Sequence, residues 1–477
     1  MADALWTGGE LAELFGPPSG GAMPEAISGI SIDTRTLQRG DAFFAIKGDR
    51  TDGHDYLAQA FAAGAALAVV AEGFDGAAVG PLLRVADTLE ALNVLGRAGR
   101  ERSKARIVAV TGSVGKTGTK EMLRLMLGAV GRVHASDKSY NNHWGVPLSL
   151  ARLPREADYA VFEIGMNHPG EITPLTKLVR PHIAIITTVA PVHMEFFAGI
   201  EEIAEAKAEI FLGLEDGGVA ILNRDNAQFV LLAERAKERG AGRIVGFGSD
   251  ASAEARLLQV LPGDGGSLIE ADILGEAITY QLGAPGDHLA MNSLAALAAA
   301  KLAGAGIESA SAALAGFGAP QGRGAQSVHR ISGGHFLLID ESYNANPASV
   351  AAALKVLSDI PPARATRRIA VLGDMLELGT QSEAMHVALA GLITAAGIDT
   401  VYCCGPHMEA LFDALEESQQ GGWAEDSDGL RVTLPAAIRA GDAIMIKGSL
   451  GSRMGPLVNA IKDRYPPLDS AKRTAAE

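Results

Sequence analysis

The sequence is poor in cysteine, aromatic residues and positive charge, and these shortages exclude several classes of protein. Its only cysteines among 477 residues are Cys403 and Cys404, and two neighbouring thiols build neither an ordinary disulfide nor a four-ligand zinc site. We therefore predict a buried strand for this pair. The 41 Lys and Arg are outnumbered by 56 Asp and Glu, which gives a net charge of −15. This balance excludes sequence-independent nucleic-acid binding, which needs cations to neutralise phosphates.

Long apolar runs are also missing. No charge-free run of about 20 apolar residues occurs, so we expect no membrane insertion. The N-terminal sequence MADALWTGGELAEL lacks the basic region and apolar core of a secretory signal, which predicts a cytoplasmic location. Apolar residues nevertheless make up 48% of the chain, which excludes a disordered protein. These features together predict a soluble protein. At about 150 residues per domain, its length predicts three domains.

Apolar runs that end in Gly or Asp alternate with helical patterns, which is typical of parallel sheets built from strand–helix–strand units. We predict an α/β fold whose three domains span residues 1–104, 105–326 and 327–477. In the second domain strands are predicted at 107–112, 159–165, 182–189 and 217–223, and in the third at 335–340, 367–374, 400–405 and 442–448. The third domain has the pattern of a Rossmann-like, doubly wound sheet.

The strongest chemical signal is the sequence TGSVGKT at residues 111–117, after a predicted buried strand and before a helical pattern. Glycines at 112 and 115 let backbone N–H groups point at an anion, Lys116 reaches phosphate oxygens, and the Thr117 hydroxyl can bind Mg²⁺. The motif is a short form of the phosphate loop, because position 110 is Val instead of Gly. We predict that nucleotide phosphates contact Gly112, Ser113, Val114, Gly115, Lys116, Thr117 and Gly118.

Three further side chains of the second domain are candidates for chemistry. Glu163 ends a predicted buried strand, where an ionised carboxylate is costly unless it is paired, so we favour a Mg²⁺ ligand over a structural salt bridge. His193 follows the next strand and is either a solvated loop residue or a site residue. Lys207 lies on the apolar stripe of a predicted helix with Ile203 and Ile210, so it is either a lysine whose stem covers the core or a functional amine.

Polar groups also follow predicted strands in the third domain. Asp340 begins a polar segment that ends in Asn346 and Pro347, a pair typical of a helix start. Asp374 and Lys447 end neighbouring strands at the same edge of the predicted sheet. Their convergence predicts a substrate-binding rim. In the first domain, by contrast, the segments 31–36 and 52–54 have the composition of ordinary turns.

Together these motifs resemble one family, the ATP-dependent Mur ligases of peptidoglycan synthesis. The resemblance extends from SIDTRTLQRGDAFFAIKG (31–48) to KGSLGSRM (447–454) and includes TGSVGKT, SYNNHWGVP (139–147) and FEIGMNHPGEI (162–172). The segment IDESYNANPASV (339–350) resembles the branch of the family that adds D-alanyl-D-alanine. The Asp-Asn-Pro-Arg signature of the diaminopimelate-adding branch is absent from the sequence.

The resemblance implies an amide ligase that joins D-alanyl-D-alanine to UDP-N-acetylmuramoyl-tripeptide through an acyl phosphate. The sequence does not give the oligomeric state, although motion between the domains would suit a monomer. The three domains would bind the UDP-muramoyl peptide, ATP and the incoming dipeptide. ATP and two Mg²⁺ ions are the implied cofactors: Lys116 would contact the phosphates, Thr117 and Glu163 one Mg²⁺, and His193 would lie near the second. Lys207 aligns with a lysine that the family carbamylates with CO₂, which would make it a further Mg²⁺ ligand.

The resemblance also assigns the contacts of the substrates. ATP would be contacted by Asn292 at the adenine and by Arg323, Asp340 and Asn344. The UDP-muramoyl peptide would be contacted by Asp33, Thr34, Arg35, Lys47, His54, Asn141 and Asn142, and the substrate rim of the third domain includes Asn346 and Lys447. Gly118 departs from the family, which usually has a second Thr there, and we expect retained activity with altered nucleotide affinity.

Other activities share parts of this pattern. Sister ligases that add diaminopimelate or lysine have the same core, and so does folylpolyglutamate synthase, which lacks the N-terminal UDP-binding segment. A P-loop switch protein is a rival of another class, but it would not require Glu163, Lys207 and a polar third domain. The sequence leaves open whether the third residue of the tripeptide is diaminopimelate or lysine.

Overall fold

Three sheets of four, nine and six strands follow one another along the chain in the computed structural model, which describes residues 4–48, 51–77, 79–137, 139–263 and 266–468. The parallel part of each sheet lies between two apolar layers, so both faces of that part are buried. This is the arrangement expected when parallel strands are connected by helices. The predicted α/β fold is confirmed.

The first sheet is small and parallel, with the order β3-β4-β5-β6, and an antiparallel pair, β1-β2, lies outside it. Its helix α1 begins with a capping box, in which Thr7 accepts a hydrogen bond from the backbone N–H of Glu10. The strands are β1 (Trp6–Thr7), β2 (Ala26–Ile27), β3 (Gly29–Ser31), β4 (Asp41–Phe44), β5 (Leu67–Ala71) and β6 (Leu82–Val85), and the helices are α1 (Gly8–Phe15), α2 (Leu57–Ala62) and α3 (Thr88–Arg102).

The central sheet has nine strands in the order β15-β14-β13-β12-β11-β10-β7-β9-β8. Its strands are β7 (Arg106–Thr111), β8 (Val133–Ala135), β9 (Tyr159–Glu163), β10 (Ile183–Ile186), β11 (Val219–Asn223), β12 (Arg243–Gly248), β13 (Ala255–Gly263), β14 (Gly266–Ile273) and β15 (Ala277–Leu282). Its helices are α4 (Lys116–Gly128), α5 (Gly145–Ala151), α6 (Ile172–Val179), α7 (Ile200–Ala208), α8 (Phe229–Glu238), α9 (Asp287–Leu302) and α10 (Ile307–Ala313). Helix α9 is rich in alanine and almost wholly buried, because its small side chains let it pack closely on the sheet.

The third sheet has the order β16-β17-β21-β18-β19-β20, and only the β16-β17 pair is antiparallel. Its strands are β16 (Ala325–Ile331), β17 (Gly334–Glu341), β18 (Arg367–Gly373), β19 (Thr400–Cys404), β20 (Gln420–Ala424) and β21 (Asp442–Lys447). Its helices are α11 (Pro347–Ser358), α12 (Ser382–Val387), α13 (Leu389–Ala395), α14 (Pro406–Ala414), α15 (Ser427–Ala437) and α16 (Met454–Arg464).

Local predictions for the third domain agree with the structure. Asn346 caps α11 by accepting a hydrogen bond from the Ser349 N–H, and Pro347 is the first helical residue. Cys403 and Cys404 are free, buried thiols at the end of β19. No helix in the described part of the chain combines the length and the apolar character that crossing a bilayer requires.

The eight strands predicted for the second and third domains are present, but the sheets contain more. The central sheet continues beyond β12 into the antiparallel strands β13, β14 and β15. Leu258 and Leu261 of β13 are 51% and 40% exposed, so this strand does not produce the continuous apolar run of a buried parallel strand. That exposure explains why the sequence pattern did not indicate it.

Candidate active site

The carboxyl ends of neighbouring parallel strands bring the predicted site residues together. In the central sheet, Val110 of β7 pairs with Glu163 of β9, and Thr111 pairs with Ile186 of β10. The phosphate loop, residues 112–115, therefore begins beside Glu163 and Thr187. This edge of an open α/β sheet is where ligands bind.

Two glycines fix the path of the phosphate loop. Gly112 has a φ of 148°, and a Cβ there would lie 2.0 Å from Oγ1 of Thr187. Gly115 has a φ of 89°, and a Cβ there would lie 2.6 Å from Nδ2 of Asn292. Only glycine fits both the backbone and the space at these two positions. Helix α4 then begins at Lys116, so its N-terminal N–H groups face the loop, as an anion requires.

The buried carboxylate of Glu163 lies directly beside the start of α4. Its Oε2 accepts a hydrogen bond of 2.8 Å from the Thr117 hydroxyl, and its Oε1 accepts one of 2.7 Å from Nδ2 of Asn141. Both donors are neutral. The arrangement therefore presents carboxylate and hydroxyl oxygens side by side at the phosphate loop.

Two lysines occupy the same region. Nζ of Lys116 donates to the Gly112 carbonyl at 2.6 Å. Burial lowers the pKa of Lys116 to about 8, with Glu163 opposing this shift and Arg323 adding to it. Lys207 on α7 is only 2% exposed, and burial together with repulsion by Lys116 lowers its pKa well below the usual range. The prediction that Lys207 lies on a buried stripe is confirmed, since Ile203 is also buried.

A cavity of about 470 Å³ separates the phosphate loop from the C-terminal domain. From the central domain it is lined by Asn141, Glu163, His193 and Asn292 in addition to the loop, and from the far side by Arg323, Asn344, Asn346 and Lys447. Lys447 is buried and donates to Glu341 at 3.1 Å and to the Asn344 carbonyl at 3.0 Å. Most of the predicted nucleotide and rim residues therefore meet around one cavity.

Two predicted substrate contacts lie elsewhere. Asp340 does not line this cavity; its carboxylate accepts from the Ser342 hydroxyl at 2.6 Å and pairs with Lys462 at 3.2 Å. Oδ1 of Asn142 accepts a hydrogen bond of 3.0 Å from the Gly145 N–H, where α5 begins. Each of these side chains therefore has a partner within the chain, and their predicted ligand contacts stay predictions.

His193 connects the two domains that form the cavity. It lies in the loop after β10 with a φ of 54°, and its Nδ1 donates to Oε2 of Glu377 in the C-terminal domain. The hydrogen bond from His193 lowers the pKa of Glu377, although partial burial opposes the shift. Glu377 was not identified from the sequence, because VLGDMLELG gave no pattern beyond a strand end.

The residues predicted to contact UDP lie at the carboxyl ends of β3 and β4, apart from the central cavity. Asp33 and Thr34 lie in a turn with Arg35, whose guanidinium pairs with the Asp33 carboxylate at 2.6 Å. The backbone of Lys47 forms an isolated antiparallel β-bridge with that of Asp52. His54 uses both ring nitrogens within the chain, since Nδ1 contacts Asp52 at 2.6 Å and Nε2 accepts from the Ala71 N–H at 3.0 Å. These contacts hold His54 within the turn, and its predicted contact with UDP stays a prediction.

A second, larger cavity of about 1010 Å³ lies between the first and second domains. It is lined by Thr36, Gln38 and Asp41 from the first domain and by Tyr140 and Arg152 from the second. None of the predicted UDP contacts lines it. The sequence did not indicate this cavity, because its lining is contributed by segments that are far apart in the chain.

Arg323 has an aromatic neighbour and a hydroxyl neighbour that were not identified from the sequence. The guanidinium of Arg323 lies 4.0 Å from the centre of the Tyr343 ring, and its Nη2 donates to Ser139 Oγ at 3.0 Å. These contacts orient Arg323 towards the cavity. Tyr343 belongs to the polar segment that begins at Asp340, so its position in that segment was the available signal.

Comparison with protein families covers most of the chain. Residues 26–100 match the Mur ligase family, catalytic domain; residues 110–300 match the Mur ligase middle domain; and residues 326–450 match the Mur ligase, glutamate ligase domain. The three matches follow the order of the three sheets.

Individual relatives agree with these matches. The chain is 36% identical to a UDP-N-acetylmuramoyl-tripeptide--D-alanyl-D-alanine ligase of Escherichia coli (strain K12), over 92% of this chain and 94% of the relative. It is 32% identical to the enzyme of the same name from Rickettsia prowazekii (strain Madrid E), over 90% and 94%. The crystal structure of MurF from Acinetobacter baumannii superposes with a TM-score of 0.82 at 29% identity, covering 96% of this chain and 99% of that one. The chain belongs to the Mur ligase family.

Proposed function

We propose that this protein is an ATP-dependent ligase that adds D-alanyl-D-alanine to UDP-N-acetylmuramoyl-tripeptide in peptidoglycan synthesis. The products are the UDP-N-acetylmuramoyl-pentapeptide, ADP and phosphate. The observation that carries the proposal is the cavity in which the phosphate loop faces the polar segment containing Asn344 and Asn346. Relatives with this named activity, aligned over nine-tenths or more of the chain, support it. We place the reaction in the cytoplasm and expect a monomer.

We assign one substrate to each of three domains, 1–104, 105–326 and 327–477. The first boundary falls between α3 and β7, and the second falls at the start of β16. In this assignment the UDP-muramoyl peptide enters from the first domain, ATP binds at the phosphate loop, and the dipeptide enters from the third domain. The cavity between the last two domains would then hold the reacting groups.

The proposed reaction has two steps. A carboxylate oxygen of the tripeptide attacks the γ-phosphorus of ATP, and the bond to the ADP oxygen breaks. The amine of D-alanyl-D-alanine then attacks the acyl carbon, and phosphate leaves as the amine gives up a proton. In this scheme Lys116 and the N-terminus of α4 attract the phosphates, and Asn292 and Arg323 hold the nucleotide from the sides. Closure of the cavity would exclude the water that hydrolyses an acyl phosphate.

The donor set at Glu163 fits Mg²⁺. Carboxylate, hydroxyl and phosphate oxygens are the ligands that this ion prefers, and Thr117 and Glu163 supply the first two within 2.8 Å of each other. When bound, Mg²⁺ would offset charge repulsion among the phosphates. His193 fits the ion less well, because imidazole is a softer ligand and its Nδ1 already contacts Glu377. We therefore place His193 beside the phosphates of a second Mg²⁺ site instead of in direct contact with the ion.

We also propose that Lys207 is carbamylated. Carbamylation requires a neutral amine, whose nitrogen forms a bond to the carbon of CO₂ while a proton is released to solvent. Burial and the nearby Lys116 lower the pKa of Lys207, which favours this neutral form. Replacing Lys207 with Ala should abolish most activity, and millimolar short carboxylic acids should restore part of it. A Lys207→Ala variant with undiminished activity would contradict this part of the proposal.

For the UDP moiety we propose the turn at Asp33, Thr34 and Arg35. The Arg35 side chain is 84% exposed, and its pairing with Asp33 orients a guanidinium towards solvent. Replacing Arg35 with Ala should raise the KM for the UDP substrate and leave the KM for ATP unchanged. Arg39→Ala is the matched control, since Arg39 is an exposed arginine of the same domain. Equal effects of the two substitutions would argue against the turn.

The identity of the amine acceptor distinguishes the proposed activity from those of the sister ligases. Purified protein is supplied with ATP, Mg²⁺ and a UDP-muramoyl-tripeptide that contains either diaminopimelate or lysine, and phosphate release is followed. We expect release with D-alanyl-D-alanine and none with diaminopimelate, lysine or glutamate as the acceptor. Release with a single amino acid and none with the dipeptide would overturn the assignment.

A further inference from the structure

The loop that contains His193 makes two hydrogen bonds to a single residue of the C-terminal domain, Glu377. The side chain of Glu377 accepts from Nδ1 of His193, and its backbone carbonyl accepts from the Glu195 N–H at 3.3 Å. Within the same loop the Phe196 N–H donates to the His193 carbonyl at 2.9 Å, which closes a turn. We call residues 193–196 the histidine loop.

The backbone on both sides of this contact is unusual. His193 has a φ of 54° and Glu377 a φ of 63°, and only five non-glycine residues in the described part of the chain have a positive φ. Such a backbone conformation is strained for a non-glycine residue and persists only where the surroundings enforce it. Gly379 also packs tightly here, since a Cβ at this position would lie 3.2 Å from the Cα of Glu195.

Glu377 itself is supported from within its own domain. The N–H of Leu376 donates to Ser449 Oγ at 2.9 Å, and the N–H of Met375 donates to Nε2 of His386 at 3.0 Å. Glu377 is therefore presented by an anchored segment, whereas its partner His193 belongs to a loop of the other domain. A cavity of about 240 Å³ lies at this contact and is lined by Ser113 and Lys116 as well as by His193 and Glu377.

We propose that Glu377 is a positioning residue that sets the histidine loop against the phosphate site when the C-terminal domain docks on the central domain. It acts through His193 and Glu195 and does not itself touch the nucleotide. His193 therefore reaches its position at the phosphate site only when the C-terminal domain is docked on the central domain. The inference rests on the proposed function only for its kinetic readout, because the domain contact can be measured independently.

The test uses the full chain with Glu377→Ala and Glu377→Gln. Small-angle X-ray scattering with saturating ADP and Mg²⁺ should give a larger radius of gyration for Glu377→Ala than for wild type. In phosphate release, Glu377→Ala should lower kcat at least tenfold with less than a threefold change in KM for ATP. Glu377→Gln should restore kcat to within about fivefold of wild type, because the amide oxygen still accepts from His193. Glu383→Ala, at an exposed acid of the same domain, should match wild type in both assays.

A double-mutant cycle with His193→Ala completes the test. If Glu377 acts through His193, the double variant is no slower than the slower single variant. The proposal would be overturned if the loss of kcat in the double variant equalled the product of the two single losses. A Glu377→Ala scattering curve identical to that of wild type would also overturn it. The scattering result stands even if the protein fails to use D-alanyl-D-alanine, so failure of the proposed function and failure of this inference are distinguishable.

Discussion

Alanine in place of Gly115 tests the phosphate loop at a position where backbone and packing act together. The residue has a φ of 89°, and an L-residue there costs about 1–2 kcal/mol. The new methyl group would lie 2.6 Å from Nδ2 of Asn292, so the amide must move away from the cavity. If that amide contacts the nucleotide, losing its hydrogen bond costs about 1 kcal/mol, which is roughly a fivefold rise in Kd.

Gly118→Ala is the matched control, three residues further along the same segment. Gly118 lies within α4, and a Cβ there would meet only Cδ2 of Leu289, at 3.7 Å. Alanine should therefore stabilise the helix by about 0.5–1 kcal/mol. Urea unfolding and calorimetric titration with ADP and Mg²⁺ measure both variants. If Gly115→Ala and Gly118→Ala have the same stability and the same ADP affinity, the steric reasoning is refuted.

Three further predictions concern single side chains of the central domain. Burial lowers the pKa of Lys116 from 10.5 to about 8, so the affinity for ADP should fall as the pH rises through 8 and the lysine loses its charge. The free energy of unfolding of the free protein should rise between about pH 8 and 10.5, because in this range the unfolded chain binds a proton that the folded chain does not. Calorimetric titration and urea unfolding measure the two effects, and an ADP affinity that does not change with pH contradicts the first. Asn142→Ala should lower the free energy of unfolding by about 1 kcal/mol, because the Gly145 N–H loses its acceptor. Measured by urea unfolding and steady-state kinetics, this loss should come with no change in KM for the UDP substrate, and a raised KM would support the predicted substrate role. Thr117→Val keeps the volume but removes the donor to Glu163, and should shift the Mg²⁺ dependence of phosphate release to higher concentration; an unchanged dependence places Mg²⁺ elsewhere.

The sequence was informative where strong local chemistry and strand ends coincide. The strand before TGSVGKT is continuous and apolar, so the position of the phosphate loop and of Glu163 on one sheet edge followed from the pattern. Lys207 was also placed correctly, because helical spacing from Ile203 predicts the buried face. The capped start of α11 at Asn346 followed from residue type alone.

Contacts between domains could not be predicted in this way. Glu377 and His193 are separated by 184 positions, and neither belongs to a periodic segment that reveals its partner. The cavity between the first two domains could not be predicted for the same reason, since segments from both domains line it. Asn142 shows a contact that the sequence did not indicate: its Oδ1 accepts a hydrogen bond from the Gly145 N–H at the start of α5. Its predicted contact with the substrate stays a prediction, because turn contacts and substrate contacts favour the same residue types.

The transfer of one oxygen atom tests the central claim most directly. A UDP-muramoyl-tripeptide labelled with ¹⁸O in both oxygens of the reacting carboxylate is incubated with the protein, ATP, Mg²⁺ and D-alanyl-D-alanine, and the products are analysed by mass spectrometry. An acyl-phosphate route predicts one ¹⁸O in each phosphate released and one in the new amide of the pentapeptide product. Phosphate without the label, or a product formed without the dipeptide, would contradict the account.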